Sequence, residues 1–135
     1  MSIEQRDARL AGLKARVDAL YVEYIFPVLA TVRVGEDAEA VRYEAELRDA
    51  AEAAGVILRR YILPADTEQT DIEGLIRQIN ADPLLSALLL VQPLPARMDA
   101  AALRTQIDPK KAVDADTCEL LLQHVIDAAE RNARP

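Results

Sequence analysis

Hydrophobic positions along the chain follow two spacings, one typical of helices and one typical of buried strands. Near the N-terminus, apolar residues recur at roughly helical spacing with charges between them, which predicts an amphipathic helix over residues 2–22. The next segment, EDAEAVRYEAELRDAAEAAGV, is dense in Ala and Glu, which are strong helix formers. It ends at Gly55 in the place of a C-terminal cap, so we predict a second helix that stops there.

Three more helices are predicted in the second half of the chain. Thr70 and Glu73 form a capping-box pattern before IEGLIRQIN, which places a third helix at about residues 71–80. The segment DAAALRTQI predicts a short helix, and TCELLLQHVIDAAERNA predicts a final helix that includes residues 117–131. The segment DPKKAVDAD between them predicts a loop.

Three apolar runs lie between these helices and predict strands at about residues 28–34, 56–63 and 86–92. The first of them contains Arg33, although a parallel strand covered on both faces is expected to be continuously apolar. We therefore expect one end of that face to be open to water or to a partner.

Strands that alternate with helices of this length call for right-handed parallel crossovers. The predicted fold is a three-layer α/β/α sandwich with a small, mostly parallel sheet, of the type found in N-terminal domains of amino-acid dehydrogenases. The final helix is expected to pack against the first segments of the chain.

The carboxyl ends of the predicted strands are the expected place for a ligand, as in other open parallel sheets. This rule places Gly35 and Gln92 on the same rim. Pro93 and Pro95 fix the backbone of the loop that follows Gln92, which makes the loop a candidate cavity wall. The alternative is that these prolines only end a strand.

Composition and charge narrow the classes of function. A chain of 135 residues, 51% of them hydrophobic, fits one domain with one core. The net charge of −7 argues against a nucleic-acid partner. The single Cys118 has no internal partner for a disulfide, and we predict neither a secretory leader nor a membrane-spanning segment from the sequence. A cytoplasmic protein without a membrane partner is expected.

Four segments, in order, resemble the methylenetetrahydrofolate dehydrogenase/cyclohydrolase family. PVLATVRVGEDAEAVRYEAELRDAAEAAGV is similar to that family's first strand, its turn and its Tyr-bearing helix. LPADTEQTDIEGLIRQINADPLLSALLLVQPLP is similar to the segment that ends in Val-Gln-Leu-Pro-Leu-Pro, and IDPKKAVDA to Ile-x-Pro-x-Lys-Asp-Val-Asp-Gly. TCELLLQHVIDAAER is similar, without a gap, to the helix that closes the family's chain. Their order and spacing carry the resemblance.

The resemblance also predicts the domain organisation. In the family an NADP-binding domain lies between the Val-Asp-Gly segment and the closing helix, whereas here Asp114-Ala115 runs directly into Asp116-Thr117. We predict a single folate-binding-type domain over residues 1–135, made of a catalytic-domain-like segment at 1–115 and a C-terminal helical segment at 116–135. No Gly-rich phosphate-binding turn is present, so neither an NADP site nor another cofactor is expected.

The family's site residues transfer only in part. Tyr43 falls on the Tyr whose ring lies against the folate in the family, although a half-buried Tyr that only fills space is an equal alternative. The family's catalytic lysine comes four residues later, where this chain has Leu47. Arg48 is one residue further, about 100° around the helix, and its guanidinium stays protonated. No catalytic residue is therefore predicted.

The other expected ligand-binding residues come from the loops after the strands. Gln92, with Pro93 beside it, matches the family's glutamine through a compensating gap, whereas an ungapped count selects Val91. Asp114 matches the aspartate that binds the pterin's amino edge, and Lys111 matches the lysine before it. Departures from the family pattern occur at three alanines, namely Ala40, Ala112 and Ala115.

The remaining single residues favour structural roles. His124 has no Cys or His at ligand spacing, so no metal site is predicted. Cys118 lies near a helix start, which can lower a thiol pKa, but no base is paired with it. The Glu-rich face of residues 36–52 is expected to be a solvated helix surface.

Three functions stay open at this stage. The first is a degenerate family member that binds a folate-like ligand without dehydrogenase activity and with little or no cyclohydrolase activity. The second is a minimal methenyltetrahydrofolate cyclohydrolase. The third is a scaffold with a vestigial cavity, which self-associates as a homo-oligomer or binds a protein partner through surfaces repolarised at Arg33 and Asp116.

Overall fold

A central parallel sheet organises the molecule. The computed structural model describes residues 2–133, and within them three strands form one sheet in the order β2-β1-β3, with every pair parallel. The strands are β1 (Val28–Val34), β2 (Ile57–Leu63) and β3 (Ala87–Leu90). The helices are α1 (Ile3–Val22), α2 (Ala38–Ala54), α3 (Gln69–Ala81), α4 (Ala100–Thr105) and α5 (Cys118–Ala133).

The central strand β1 divides the core into two hydrophobic layers. All seven of its residues are buried, and alternate side chains point to opposite faces of the sheet. Val28, Ala30 and Val32 pack with buried residues of α3 and α4 on one face. Leu29 packs with α1, α2 and α5 on the other face. The predicted three-layer α/β/α sandwich with a parallel sheet is therefore confirmed.

Most predicted element boundaries agree with the structure to within a few residues. The second helix ends where expected, because Gly55 caps α2 in the left-handed conformation at φ 78°. The predicted capping box at Thr70 is wrong: α3 begins at Gln69, two residues earlier than predicted, with Glu68 at its N-cap and no side-chain cap bond. The third strand is shorter than predicted and ends before Gln92, which leaves the sheet as a loop residue.

The final helix α5 packs against α1 and α2, as predicted. Its buried side chains join the apolar faces of those two helices in one cluster. Ion pairs fix the contact with α1, with Arg6 2.7 Å from the Glu119 carboxylate and Arg16 2.8 Å from that of Asp127. Within residues 2–133, no helix combines the length and apolar character needed to cross a bilayer.

Arg33 is buried, so the expectation of an open strand face at this residue is wrong. The side chain of Arg33 donates from Nε to Glu44 Oε1 at 3.1 Å and from Nη1 to the Gly35 carbonyl at 2.6 Å. Arg33 and Glu44 are only 8% and 2% exposed, and Arg60 Nη1 lies 3.6 Å from the same Glu44 oxygen. Arg33 therefore marks an internal ion cluster rather than a repolarised surface.

The same contact corrects the prediction of a fully solvated Glu-rich face on α2. Most acidic residues of this helix are exposed, but Glu44 points into the core. Its position could have been found from the sequence, because it lies at helical spacing within a buried stripe of α2 that also contains Ala40, Leu47, Ala51 and Ala54. Asp116, the other residue expected to repolarise a surface, is exposed.

Candidate functional site

A cavity of about 510 Å³ opens at the carboxyl end of β3. Its walls are the first turns of α2, the end of β3 with the residue Gln92, the C-terminal part of α4, and residues 112–115. A parallel bridge between Leu88 and Ala112, in which Leu88 N–H donates to the Lys111 carbonyl at 2.8 Å, holds that last segment beside β3. The cavity lies where the topology of a parallel sheet places ligands.

Three residues that the sequence analysis selected line this cavity together. Tyr43 is half-buried on α2, whereas Gln92 and Asp114 are exposed on the two loops. They come from three separate segments, which the sheet and the Leu88–Ala112 bridge bring to one place.

Three charged lining residues were missed by the sequence analysis. Glu39 and Arg42 precede Tyr43 on α2, and Arg104 comes from α4. The position of Glu39 carries a usable signal, because it lies one helical turn before Tyr43 on the same face. Arg104 carries no such signal, since only the tertiary packing of α4 brings it here.

The environment of Tyr43 keeps its phenol protonated. Burial raises the pKa of Tyr43 to about 12, and the nearby Cys118, Asp114 and Glu46 side chains add to the shift. A phenol with this pKa donates a hydrogen bond at neutral pH and does not act as a base. Tyr43 therefore offers a ring face and a hydrogen-bond donor.

Cys118 does not have the lowered pKa that its place at the start of α5 allowed. Burial raises the pKa of the Cys118 thiol, and the carboxylates of Glu119 and Glu46 raise it further, while Arg6 opposes them. The thiol is therefore poorly ionised at neutral pH, which argues against a nucleophilic role.

The loop after β3 bears on the choice between Gln92 and Val91. Val91 is fully buried, and its N–H donates to the Val32 carbonyl at 2.9 Å. Gln92 is exposed and lines the cavity, followed by a cis peptide bond to Pro93. Neither Pro93 nor Pro95 is a wall residue of this cavity, in contrast to the expectation from the sequence. Of the two candidate positions, Gln92 is the one whose side chain can reach a ligand.

Lys111 does not line this cavity, in contrast to the expectation from the resemblance. Its ammonium group donates to the carbonyl oxygens of Ile79 at 2.8 Å and of Asp82 at 2.5 Å. Burial lowers the pKa of Lys111, and the nearby Asp82 and Asp108 oppose that shift. Lys111 thus fastens its own loop to the C-terminal end of α3, which is a structural role.

Leu47, at the family's lysine position, is fully buried one turn beyond Tyr43. It belongs to the apolar cluster that α2 shares with Leu121 and Leu122 of α5. Arg48 is half-exposed, and its nearest ion-pair partner is Asp49 at 4.0 Å. Within residues 2–133, no lysine lines the cavity, so none is placed to transfer a proton there.

The described residues also bear on metal binding. In the part of the chain from residue 2 to residue 133, no group of three or more His, Cys, Asp and Glu side chains is arranged to hold a metal ion. His124 is half-buried on α5 and is not part of the cavity wall.

Sequence comparison relates most of the chain to one family. Residues 4–114 match the family described as tetrahydrofolate dehydrogenase/cyclohydrolase, catalytic domain. The bifunctional protein FolD of Xanthomonas euvesicatoria pv. vesicatoria (strain 85-10) is 42% identical over 106 residues. That match covers 78% of this chain, and the chain spans only 35% of the relative's length.

Structure comparison shows the same fold in solved structures. The bifunctional FolD methylenetetrahydrofolate dehydrogenase/cyclohydrolase of Campylobacter jejuni superposes with a TM-score of 0.80 at 24% identity, over 82% of this chain and 39% of that one. The Trypanosoma brucei methylenetetrahydrofolate dehydrogenase-cyclohydrolase, solved with NADP and an inhibitor, gives a TM-score of 0.76 at 26% identity. The match covers 80% of this chain and 37% of the trypanosomal chain.

Proposed function

Because the chain belongs to the tetrahydrofolate dehydrogenase/cyclohydrolase family, we propose that its cavity binds a folate-like ligand. We further propose that it has no dehydrogenase activity and little or no cyclohydrolase activity. One observation carries this proposal: Tyr43, Gln92 and Asp114 line a single cavity, whereas Leu47 is sealed in the apolar core.

The cavity offers complementary contacts for a flat heterocycle with a polar edge. The ring of Tyr43 provides a face against which an aromatic ligand can stack. The Asp114 carboxylate accepts hydrogen bonds from amino groups, and the Gln92 amide can both donate and accept. Apolar side chains of β3 and Val113 form the rest of the wall.

The cavity has few groups that could give acid-base assistance to hydrolysis. General acid-base assistance contributes roughly 10² to 10⁴ in rate, and Leu47 has no proton to give or take. Tyr43, with a pKa raised to about 12, stays protonated at neutral pH. Binding without efficient turnover is the function that this set of groups supports best.

The connection to α5 supports the absence of an internal NADP-binding domain. Only Asp116 and Thr117 separate Ala115 from the start of α5. A linker of two residues cannot contain a dinucleotide-binding domain, which needs a βαβ unit and a Gly-rich turn. We therefore propose one domain over residues 1–135, in which 116–135 completes the segment 1–115.

Isothermal titration calorimetry with tetrahydrofolate and 5,10-methenyltetrahydrofolate tests the binding proposal. We expect saturable binding of one ligand per chain, which Tyr43→Ala and Asp114→Asn each weaken about tenfold, the loss of one good contact. Asp49→Asn, on the exposed side of α2, is the matched control and should bind normally. Failure of the wild-type protein to bind either folate while it remains folded would reject the proposal.

A minimal cyclohydrolase is the second candidate, because carboxylates of Glu39 and Asp114 line the cavity and could orient a water molecule. Decay of methenyltetrahydrofolate absorbance distinguishes the two functions. Turnover well above the buffer blank that is lost in Asp114→Asn would favour the cyclohydrolase. Saturable quenching of NADPH fluorescence by the protein would contradict the proposed lack of an NADP site.

A further inference from the structure

A second and larger cavity, of about 830 Å³, lies at the opposite end of the strands, where they begin. Its walls come from the segments that precede the three strands: residues 24–26 and 28, Ile57 at the start of β2, and residues 83–86 before β3. Residues of α5 and the loop at 108–111 close its remaining side. It therefore shares no wall residue with the cavity that contains Tyr43.

Tyr24 at this cavity has a backbone conformation that favours glycine. It follows the C-cap of α1 with φ 59°, the left-handed region that residues with a Cβ atom adopt at a cost. The two hydrogen bonds of a Schellman motif end α1 here. Ile25 N–H donates to the Leu20 carbonyl at 2.9 Å, and Tyr24 N–H donates to the Tyr21 carbonyl at 3.0 Å. Glycine would fit this position without strain.

The hydrogen bonds of this helix end stabilise the backbone of Tyr24, but its side chain gains little from packing, because Tyr24 is 84% exposed. Residues held in sparsely populated backbone regions cluster at ligand-binding and other functional sites. The Tyr24 side chain is therefore available to contact a molecule in the second cavity.

The wall around Tyr24 is unusually apolar for a surface. Phe26 and Ile57 are half-exposed, and Leu84 is 70% exposed. Phe26 is held by an edge-to-face contact with Tyr21, with ring centroids 5.0 Å apart. Clustered exposed apolar side chains of this kind mark binding sites more often than scattered ones do.

The rim of this cavity is basic although the whole chain carries a net charge of −7. Arg59 and Lys110 are exposed wall residues, and Arg59 is only loosely paired with Asp82 at 4.0 Å. Asp108 is the one acidic residue among these described wall residues. Its carboxylate accepts a hydrogen bond from the backbone N–H of Lys110 at 2.9 Å. An apolar wall with a basic rim is complementary to a molecule with an apolar body and an anionic head.

We propose that this second cavity binds a small anionic amphiphile, with an aliphatic or aromatic body and one carboxylate or phosphate head group. A volume of about 830 Å³ lies within the ~300–1,000 Å³ typical of small-molecule sites. The apolar body contacts Tyr24, Phe26 and Leu84, while Arg59 and Lys110 receive the head group. The site does not depend on folate binding.

Fluorescence titration with 1-anilinonaphthalene-8-sulfonate, followed by displacement with amphiphiles below their micellar concentrations, tests the proposal. Dodecanoate and dodecyl phosphate carry the two head groups, and 1-decanol is the neutral comparison. We expect saturable displacement by both anions, weakened by salt, and at least about tenfold weaker displacement by the alcohol. The better of the two anions identifies the head group. Equal displacement by the alcohol, or no displacement by either anion, would overturn the proposal.

Substitutions separate binding from stability. Tyr24→Gly relieves the left-handed strain, so it should raise the thermal unfolding midpoint while it weakens dodecanoate binding about tenfold. Leu84→Ala should weaken the binding of both anions. Arg59→Gln should weaken the binding of the anions without affecting that of the alcohol. Leu120→Ala removes an equally apolar exposed residue outside the cavity and serves as the control.

Two outcomes contradict the assignment to this cavity. If Tyr24→Gly and Leu84→Ala both bind dodecanoate normally, the ligand lies elsewhere. If Tyr43→Ala abolishes dodecanoate binding, the amphiphile occupies the first cavity. Should Tyr24→Gly fail to fold, Leu84→Ala and Arg59→Gln decide the question by themselves.

Discussion

The Arg33 guanidinium and the Glu44 carboxylate meet between β1 and α2, with 3.1 Å between Nε and Oε1, and both side chains are buried. The pair ties the carboxyl end of the central strand to the helix that carries Tyr43. Arg60, on the neighbouring strand β2, lies 3.6 Å from the same Glu44 oxygen. The second oxygen, Glu44 Oε2, has no hydrogen-bond partner within the described residues.

Removal of either partner of this pair is expected to be strongly destabilising. Glu44→Leu leaves the buried Arg33 without a counter-charge, which in other proteins costs about 3–5 kcal/mol in the free energy of unfolding. The double variant Arg33→Met/Glu44→Leu should recover most of that loss, because it leaves no unpaired charge at Arg33. Urea denaturation of the two single variants and the double variant checks this, and additive losses in the double variant would contradict the coupling.

Leu47→Lys is expected to unfold or strongly destabilise the protein rather than create a hydrolase. Leu47 is fully buried against α5, and an ammonium group there has no partner to offset its loss of hydration. We expect a loss of several kcal/mol in the free energy of unfolding, whereas Leu47→Met, of similar volume, should lose less than about 1.5 kcal/mol. Thermal and urea unfolding measure both. A stable Leu47→Lys protein with methenyltetrahydrofolate hydrolysis would show that this position can open to the cavity.

The raised pKa of Tyr43 predicts a loss of stability at alkaline pH. The pKa of the folded state is about 12, against an ordinary value of 10.0, so above pH 10 the unfolded chain loses this proton while the folded chain keeps it. The stability contributed by the protonated phenol is complete below pH 10 and falls as the pH rises toward 12. Tyr43→Phe should show a shallower loss of the thermal midpoint over this window. Identical pH profiles for Tyr43→Phe and the wild type would contradict the shift.

Cys118 is expected to react slowly with thiol reagents at neutral pH. Burial and the neighbouring acidic groups raise its pKa, so the reactive thiolate is scarce. In the Cys118→Ser background, Thr70→Cys provides an exposed thiol of ordinary reactivity as the reference. Stopped-flow measurement with 5,5′-dithiobis(2-nitrobenzoate) should give a clearly lower rate for Cys118. Equal rates would mean that the start of α5 opens readily.

The sequence predicts those parts of the fold that rest on local periodicity. Apolar spacing locates α1, α2 and α5, and Gly55 marks the end of α2 because its φ of 78° suits glycine. The start of α3 is not predictable from Thr70 and Glu73, since the backbone begins the helix before Thr70 and leaves that side chain exposed. A local pattern shows that a helix is present but not where tertiary packing lets it begin.

The candidate site is predictable only in part, for the same physical reason. Tyr43, Gln92 and Asp114 come together through strand order and the Leu88–Ala112 bridge, and the resemblance to a family supplied that long-range information. The burial of Arg33 depends on Glu44, a partner on another element, so the strand pattern by itself pointed to the wrong environment. Local sequence patterns therefore do not predict the burial of a charged residue whose ion-pair partner lies on another element.

The docking of α5 on α1 joins the first and the last helix of the described chain into one layer. During synthesis α1 leaves the ribosome before α5, so the apolar partner for its Leu10, Leu13 and Val17 face is complete only when α5 has emerged. Contacts of such long sequence separation are slow to form. The apolar face of α1 is therefore covered only in part until α5 has been synthesised, and in that interval the nascent chain exposes hydrophobic surface that chaperones can bind.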